Sequence, residues 1–86
     1  MHTFDNDEEG YLGWIRANRD GFVVNTPKAG HHADYLHKAT CSSISTSHTN
    51  YTTTTYKKLC SLNKQELIDW ERKNARELHN CTRCNP

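Results

Sequence analysis

Two short motifs of cysteine and histidine constrain this 86-residue chain more than any other feature. His37 and Cys41 form a His-x-x-x-Cys motif, and Cys81 and Cys84 form a Cys-x-x-Cys motif near the end of the sequence. Each short spacing allows two side chains to reach one metal ion, and a tetrahedral site needs two such pairs. The motifs therefore predict a closed site of three thiolates and one imidazole, which is typical of structural zinc.

Other interpretations of the cysteines stay open at the level of sequence. A redox dithiol has the same Cys-x-x-Cys spacing, but it normally begins a helix that follows a strand. Four cysteines can also form a disulfide framework or remain as unpaired thiols in the core. Cys60 is an alternative ligand in place of His37, although a buried structural thiol is favoured, and His79 is a candidate for a hydrogen bond to the site.

Length and composition independently indicate a domain that needs a stabilising cross-link or partner in addition to its core. We expect residues 1–86 to form a single zinc-binding domain, with 34% hydrophobic residues and a mean hydropathy of −0.97. A chain this short buries only a marginal core, so a metal, disulfides or a partner usually contributes to stability. We find no apolar run long enough for a membrane span and no secretory signal, so we expect a cytoplasmic, reducing setting that favours metal over disulfides.

The charge is small overall but unevenly distributed. The formal net charge is +1, and four of the ten acidic residues lie within residues 1–9. From residue 10 onward the chain has eleven Lys and Arg against six acids, about +5. This mildly basic body permits contacts with phosphates without requiring them.

Periodicity and capping residues predict an α+β fold. Helices are predicted over 7–18, where the apolar residues share one helical face, and over 63–77, where Asn63 caps the first turn. Strands are predicted at 22–25 and 33–37, which form a hairpin ending at His37, and at 56–60. We interpret 1–9 as an acidic start for which flexibility is allowed, and 42–55 as a polar loop. The predicted order is N-terminal helix, β-hairpin, third strand, and a long C-terminal helix leading into the Cys-x-x-Cys knuckle.

The two motifs and their flanks resemble a known family. The run Tyr-Leu-His-Lys-Ala-Thr-Cys at 35–41, followed by Cys-Thr-Arg-Cys-Asn-Pro at 81–86, is similar to the metal-binding domain of the Ada DNA-repair protein. It is closer to small modules of that type, with His-x-x-x-Cys and Cys-x-x-Cys-x-Pro, on the ends of nucleases and other DNA-handling proteins. The resemblance implies a zinc-organised module associated with DNA or with other parts of a DNA-processing system.

One departure from the Ada pattern matters for function. In the Ada domain a thiolate at the first ligand position accepts a methyl group, whereas this chain has His37 there. A zinc-bound imidazole offers no such nucleophile, so the repair chemistry is not carried over. With no open metal position and no catalytic constellation in the sequence, we expect a binding module and not an enzyme.

The resemblance and the basic body together predict association with nucleic acid. We expect four cations to contact phosphates, two of them inside the metal-binding motifs: Lys38, Lys57, Lys58 and Arg83. The alternative is a protein-interaction module of a larger assembly, in which zinc only fixes the fold.

Overall fold

The fold is built on a mixed β-sheet with a helix packed on each face. The computed structural model describes residues 1–28, 33–44, 52 and 56–86. Within these residues the elements are β1 (His2–Phe4), α1 (Glu8–Ala17), β2 (Phe22–Pro27), β3 (Ala33–Lys38), β4 (Tyr56–Ser61), α2 (Lys64–Lys73) and β5 (Glu77–Asn80). The strand order across the sheet is β1-β4-β2-β3-β5. All neighbouring strands are antiparallel except β3 and β5, which are parallel.

Two adjacent valines on the central strand divide the core into two layers. Side chains alternate along a strand, so the fully buried Val23 and Val24 point to opposite faces of the sheet. Val23 packs with Tyr11 and Ile15 of α1, whereas Val24 packs with Leu67 of α2. Each helix thus covers one face, and the hydrophobic effect holds both against the same strand.

Both helices begin at the residues that the sequence predicts. Asp7 caps α1, where its carboxylate accepts a 2.9 Å hydrogen bond from the backbone N–H of Gly10. Asn63 caps α2 and accepts from the N–H of Gln65 at 3.0 Å. These side chains satisfy N–H groups that have no partner within the first helical turn.

The α+β class, the helix near 7–18 and the antiparallel hairpin are confirmed, but the predicted element order is wrong at both ends of the chain. The chain begins with β1, which pairs with β4. Three residues carry too little alternation to predict a strand, and the pairing itself orders them. The polar loop predicted at 42–55 falls largely at 45–51 and 53–55, outside the described residues. In the described part of the chain, neither helix is long and apolar enough to cross a membrane.

The long C-terminal helix is also wrong, because α2 ends at Lys73 and a strand follows it. Asn74 caps the helix, and Ala75 adopts a left-handed backbone conformation with φ of 53°. Leu78 continues the helical spacing in the sequence, which explains the overprediction. In the structure Leu78 belongs to β5 and packs with the core under α2.

Two buried carboxyl groups meet beside this turn. Asp34 is fully buried, and its oxygens accept hydrogen bonds from Arg76 Nε at 2.7 Å, Arg76 Nη2 at 2.8 Å and the Thr26 hydroxyl at 2.8 Å. Burial alone would raise the pKa of Asp34, but these donors and Glu71 outweigh it and lower that pKa. Within the described residues no donor reaches the buried Glu71 carboxyl oxygens. Burial and the adjacent Asp34 raise the pKa of Glu71 to about 8, so Glu71 keeps its proton at neutral pH.

The substitution Glu71→Gln is expected to remove one pH dependence of stability. The folded chain holds the Glu71 proton up to a pH of about 8, while the unfolded chain releases it near 4.5. Wild-type stability should therefore fall as the pH rises through this window, by about 2 kcal/mol between pH 6 and pH 8. The neutral amide carries no such proton, so urea unfolding should show the variant gaining on the wild type at pH 8. The control is Glu77→Gln on the exposed side of β5, and parallel curves for Glu71→Gln and wild type would contradict the prediction.

Candidate metal centre

One imidazole and three thiols converge at one end of the sheet. The ligand atoms of His37, Cys41, Cys81 and Cys84 all lie within 4.8 Å of one another, and the Sγ atoms of Cys41 and Cys81 are 3.9 Å apart. The structure thus brings together the four residues that the two sequence motifs predict. This cluster could hold a metal ion.

The first ligand pair lies where β3 ends. His37 is on β3 opposite Val23, and the backbone N–H of Ala39 donates to the carbonyl of Gly21 at 2.9 Å, which continues the hairpin past the last residue of the strand. The chain then turns, with the N–H of Cys41 donating to the Lys38 carbonyl at 3.0 Å. The turn places the thiol of Cys41 on the same side of the sheet as the His37 ring.

The second pair is delivered by β5. Leu36 of β3 pairs with Asn80 of β5, and the next N–H, that of Cys81, donates to the Leu36 carbonyl at 2.9 Å. Because the two strands are parallel, both run toward the same end of the sheet, and each is followed there by its cysteine-containing motif. The knuckle, residues 81–84, then closes with the N–H of Asn85 donating to the Cys81 carbonyl at 3.1 Å.

The environment of His37 favours the form of imidazole that binds metals. The His37 side chain is 7% exposed, and its burial, with a smaller effect of the Lys58 ammonium, lowers its pKa to about 4. The ring is therefore neutral at physiological pH and has a lone pair to donate. The Ser43 hydroxyl lies 3.5 Å from His37 Nδ1 and 3.0 Å from Cys41 Sγ. Sequence reasoning missed Ser43, and a hydroxyl two residues after a ligand is the signal that was available.

Backbone N–H groups around the knuckle favour the ionised form of its sulfurs, whereas burial opposes it. Burial opposes ionisation of Cys81. The backbone N–H groups of Cys84 and Arg83, together with the thiols of Cys84 and Cys41, outweigh burial and lower the pKa of Cys81. Burial and the neighbouring sulfurs raise the pKa of Cys84 to about 11. The N–H of Lys38, 3.3 Å from the Cys84 sulfur, acts in the opposite direction and lowers it. Three thiolates this close repel one another, so a cation among them would favour their ionisation.

The two competing ligands lie elsewhere. Cys60 is fully buried on β4 in the core under α1, and burial raises the pKa of its thiol to about 12. The ring of His79 stacks on Tyr35 with centroids 5.3 Å apart, and its Nε2 is 3.4 Å from a carboxylate oxygen of Glu77. All four cysteines are described, and none forms a disulfide. Cys60 is thus a core thiol in the folded chain.

The four cations predicted to contact phosphates are divided between two places. Lys38 and Arg83 are exposed beside the metal cluster. Lys57 is half-buried on β4, whereas Lys58 is 2% exposed and its ammonium donates to the amide oxygen of Asn25. Lys58 therefore faces inward, which alternation along β4 could have suggested from its register with Cys60.

Comparison of the chain with protein-family models, with curated proteins and with solved structures found no match. The likeness to Ada-type domains therefore stays a prediction from the two motifs and their flanking residues. The geometry of the cluster supports an inference about function without it.

We expect one metal ion per chain, bound by the four residues of the cluster. Cys41→Ala should abolish binding and unfold much of the chain, because it leaves three ligands and removes the turn's anchor to the ion. Cys60→Ala is the matched control, since it removes a buried thiol from the same core layer that is not one of the four clustered residues, and it should keep the metal. Elemental analysis of both purified variants, with amide NMR to report folding, checks the prediction. Metal lost with Cys60→Ala and kept with Cys41→Ala would contradict it.

Proposed function

We propose that this chain is a structural zinc-binding module that associates with nucleic acid in the cytoplasm. The observation that carries the proposal is the convergence of His37, Cys41, Cys81 and Cys84 within 4.8 Å at the shared end of two parallel strands.

Zinc is the ion that this donor set fits best. Zinc binds thiolates at about 2.3 Å in a tetrahedron, which places two sulfurs about 3.8 Å apart. The 3.9 Å between the sulfurs of Cys41 and Cys81 matches that edge. The ligand atoms of the cluster are at most 4.8 Å apart, so they need to move closer by no more than about 1 Å to bind one ion. Thiolate and imidazole ligands in a closed site are typical of zinc, so elemental analysis of the wild-type chain should find zinc.

The role of the ion is structural in this proposal. Four protein ligands fill a tetrahedral ion and leave no position for a reacting water. The two carboxylates nearest in sequence also point elsewhere: Asp34 is paired with Arg76 on the α2 side of the sheet, and Glu77 lies beside His79. We therefore propose a binding module and not an enzyme. Its ion would join the turn after β3 to the knuckle after β5.

The partner is inferred from the surface around the knuckle. Arg83 is exposed within the knuckle, and Lys38 lies next to it because its N–H bonds to the sulfur of Cys84. Lys38 and Arg19 line the same cleft. We call Arg83, Lys38 and Arg19 the knuckle surface. Asp20 also lines the cleft, and the three cations suit contacts with phosphate oxygens. The resemblance to DNA-associated Ada-type modules supports DNA as the partner.

Binding to nucleic acid is expected to weaken steeply with salt, and Arg83 should account for part of that dependence. Each cation that neutralises a phosphate contributes about one unit to the slope of log affinity against log salt concentration. Arg83→Gln should therefore reduce the slope by about one. Arg72→Gln, on the far exposed side of α2, is the matched control. Fluorescence anisotropy with labelled single-stranded and duplex DNA and RNA from low to moderate salt measures both.

A protein-interaction module is the second candidate, and one surface favours it. Met1 and Leu62 are exposed by 46% and 61%, and both line a shallow cleft with Trp14. Apolar side chains grouped on a surface are typical of protein contacts. If this surface binds a second copy of the chain, light scattering should show a dimer that Leu62→Ser converts to a monomer. A wild-type chain that is monomeric and binds nucleic acid would contradict this second candidate and support the first.

A further inference from the structure

A second concave surface lies next to the metal centre and is not used by it. It is a cavity of about 540 Å³, in the range of small-molecule sites, on the sheet face that α1 covers only in part. Residues at alternate positions of the three central strands line it, together with Ser43 from the turn after Cys41. They include Asn25, Pro27, Tyr35, His37, Ser43 and Tyr56.

Two tyrosines present aromatic surface at this cavity. Tyr35 and Tyr56 are 45% and 42% exposed, although each belongs to a strand of the sheet. The His79 ring stacks on the Tyr35 ring and supports it, with 5.3 Å between the ring centroids and 29° between the planes. Exposed aromatic rings on a β-sheet are the platforms on which unpaired nucleobases stack.

The polar groups at the cavity suit a ligand with hydrogen-bond acceptors. The amide oxygen of Asn25 accepts from Lys58. Among the described residues the two N–H donors of that amide have no partner, so they can meet a ligand edge. The Lys58 ammonium lies 5.6 Å from the Tyr56 ring centroid and places positive charge behind the cavity wall, partly balanced by Glu8 of α1. None of the described residues that line the cavity is acidic. An electron-rich ring with carbonyl acceptors complements this lining.

We propose that the cavity is a base-binding subsite, in which an unpaired base of single-stranded nucleic acid stacks on Tyr35 and Tyr56 and meets the Asn25 amide. This inference rests on the proposed association with nucleic acid and specifies its substrate class. The cations of the knuckle surface, at the end of the sheet where β3 reaches the cluster, would hold the phosphates. Bases within a duplex are stacked and paired, so they cannot enter such a cavity without being extruded.

The test compares single strands with duplexes on the zinc-loaded full chain. The probes are a fluorescein-labelled 12-nucleotide DNA of mixed sequence and a hairpin containing the same sequence as duplex. Tyr35→Ala and Tyr56→Ala should each weaken binding of the single strand about 5- to 100-fold, the effect of losing one stacked base. Tyr35→Phe and Tyr56→Phe keep the ring and should stay within a few-fold of the wild type. Gln65→Ala, an exposed position on α2 outside the cavity, is the control.

The outcomes separate the two proposals. Selective loss of single-strand binding in the alanine variants, with metal content and amide spectra unchanged, would support the subsite. Unchanged single-strand binding in both alanine variants would overturn the subsite and leave the nucleic-acid proposal standing. No binding of any probe by the wild-type chain at low salt would overturn the proposed function itself. Aromatic NMR of the wild type with a nucleoside monophosphate adds a direct readout: shifts of the Tyr35 and Tyr56 ring signals are expected, and their absence at millimolar nucleotide would count against the subsite.

Discussion

The parallel pairing of β3 with β5 brings the two cysteine- and histidine-containing motifs together. It determines that His37 and Cys81 follow neighbouring residues, Leu36 and Asn80, at the same edge of the sheet. The Arg76 guanidinium, bound to the buried Asp34, fixes the start of β5, and the hydrogen bond from Cys81 to Leu36 fixes its end. A shift of β5 by one residue would turn its side chains to the other face and separate the ligand pairs.

Polar interactions therefore contribute to the specificity of this fold, and its small core contributes to its stability. The core divides into two layers, one on each side of the central strand, and neither is large. Arg76 with Asp34 and the protonated Glu71 holds α2 and β5 on one face. A metal ion at the cluster would hold the two turns on the other face. Removing one partner from either arrangement leaves charge without compensation, which is costly in a buried setting.

The described surface beside the metal centre carries two different chemistries. The exposed cations Lys38 and Arg83 lie at the end of β3 and in the knuckle, whereas Tyr35 and Tyr56 border the cavity on the α1 face of the sheet. A bound metal ion would link them structurally, because His37 both belongs to the cluster and lines the cavity. A chain that loses the ion would thus lose the relative placement of both surfaces.

Local sequence was enough to predict the four residues of the cluster, the helix starts and the hairpin, because these depend on short spacings, capping side chains and alternation that act within a few residues. The end of α2 at Lys73 and the parallel strand that delivers Cys81 came only from the assembled fold. The reason is that Arg76 finds its partner in Asp34, 42 residues away, and this pairing overrides a helical pattern that local sequence continues through Leu78. Alternation with the buried Cys60 indicates the inward direction of Lys58, and the assembled sheet supplies its partner by placing it opposite Asn25.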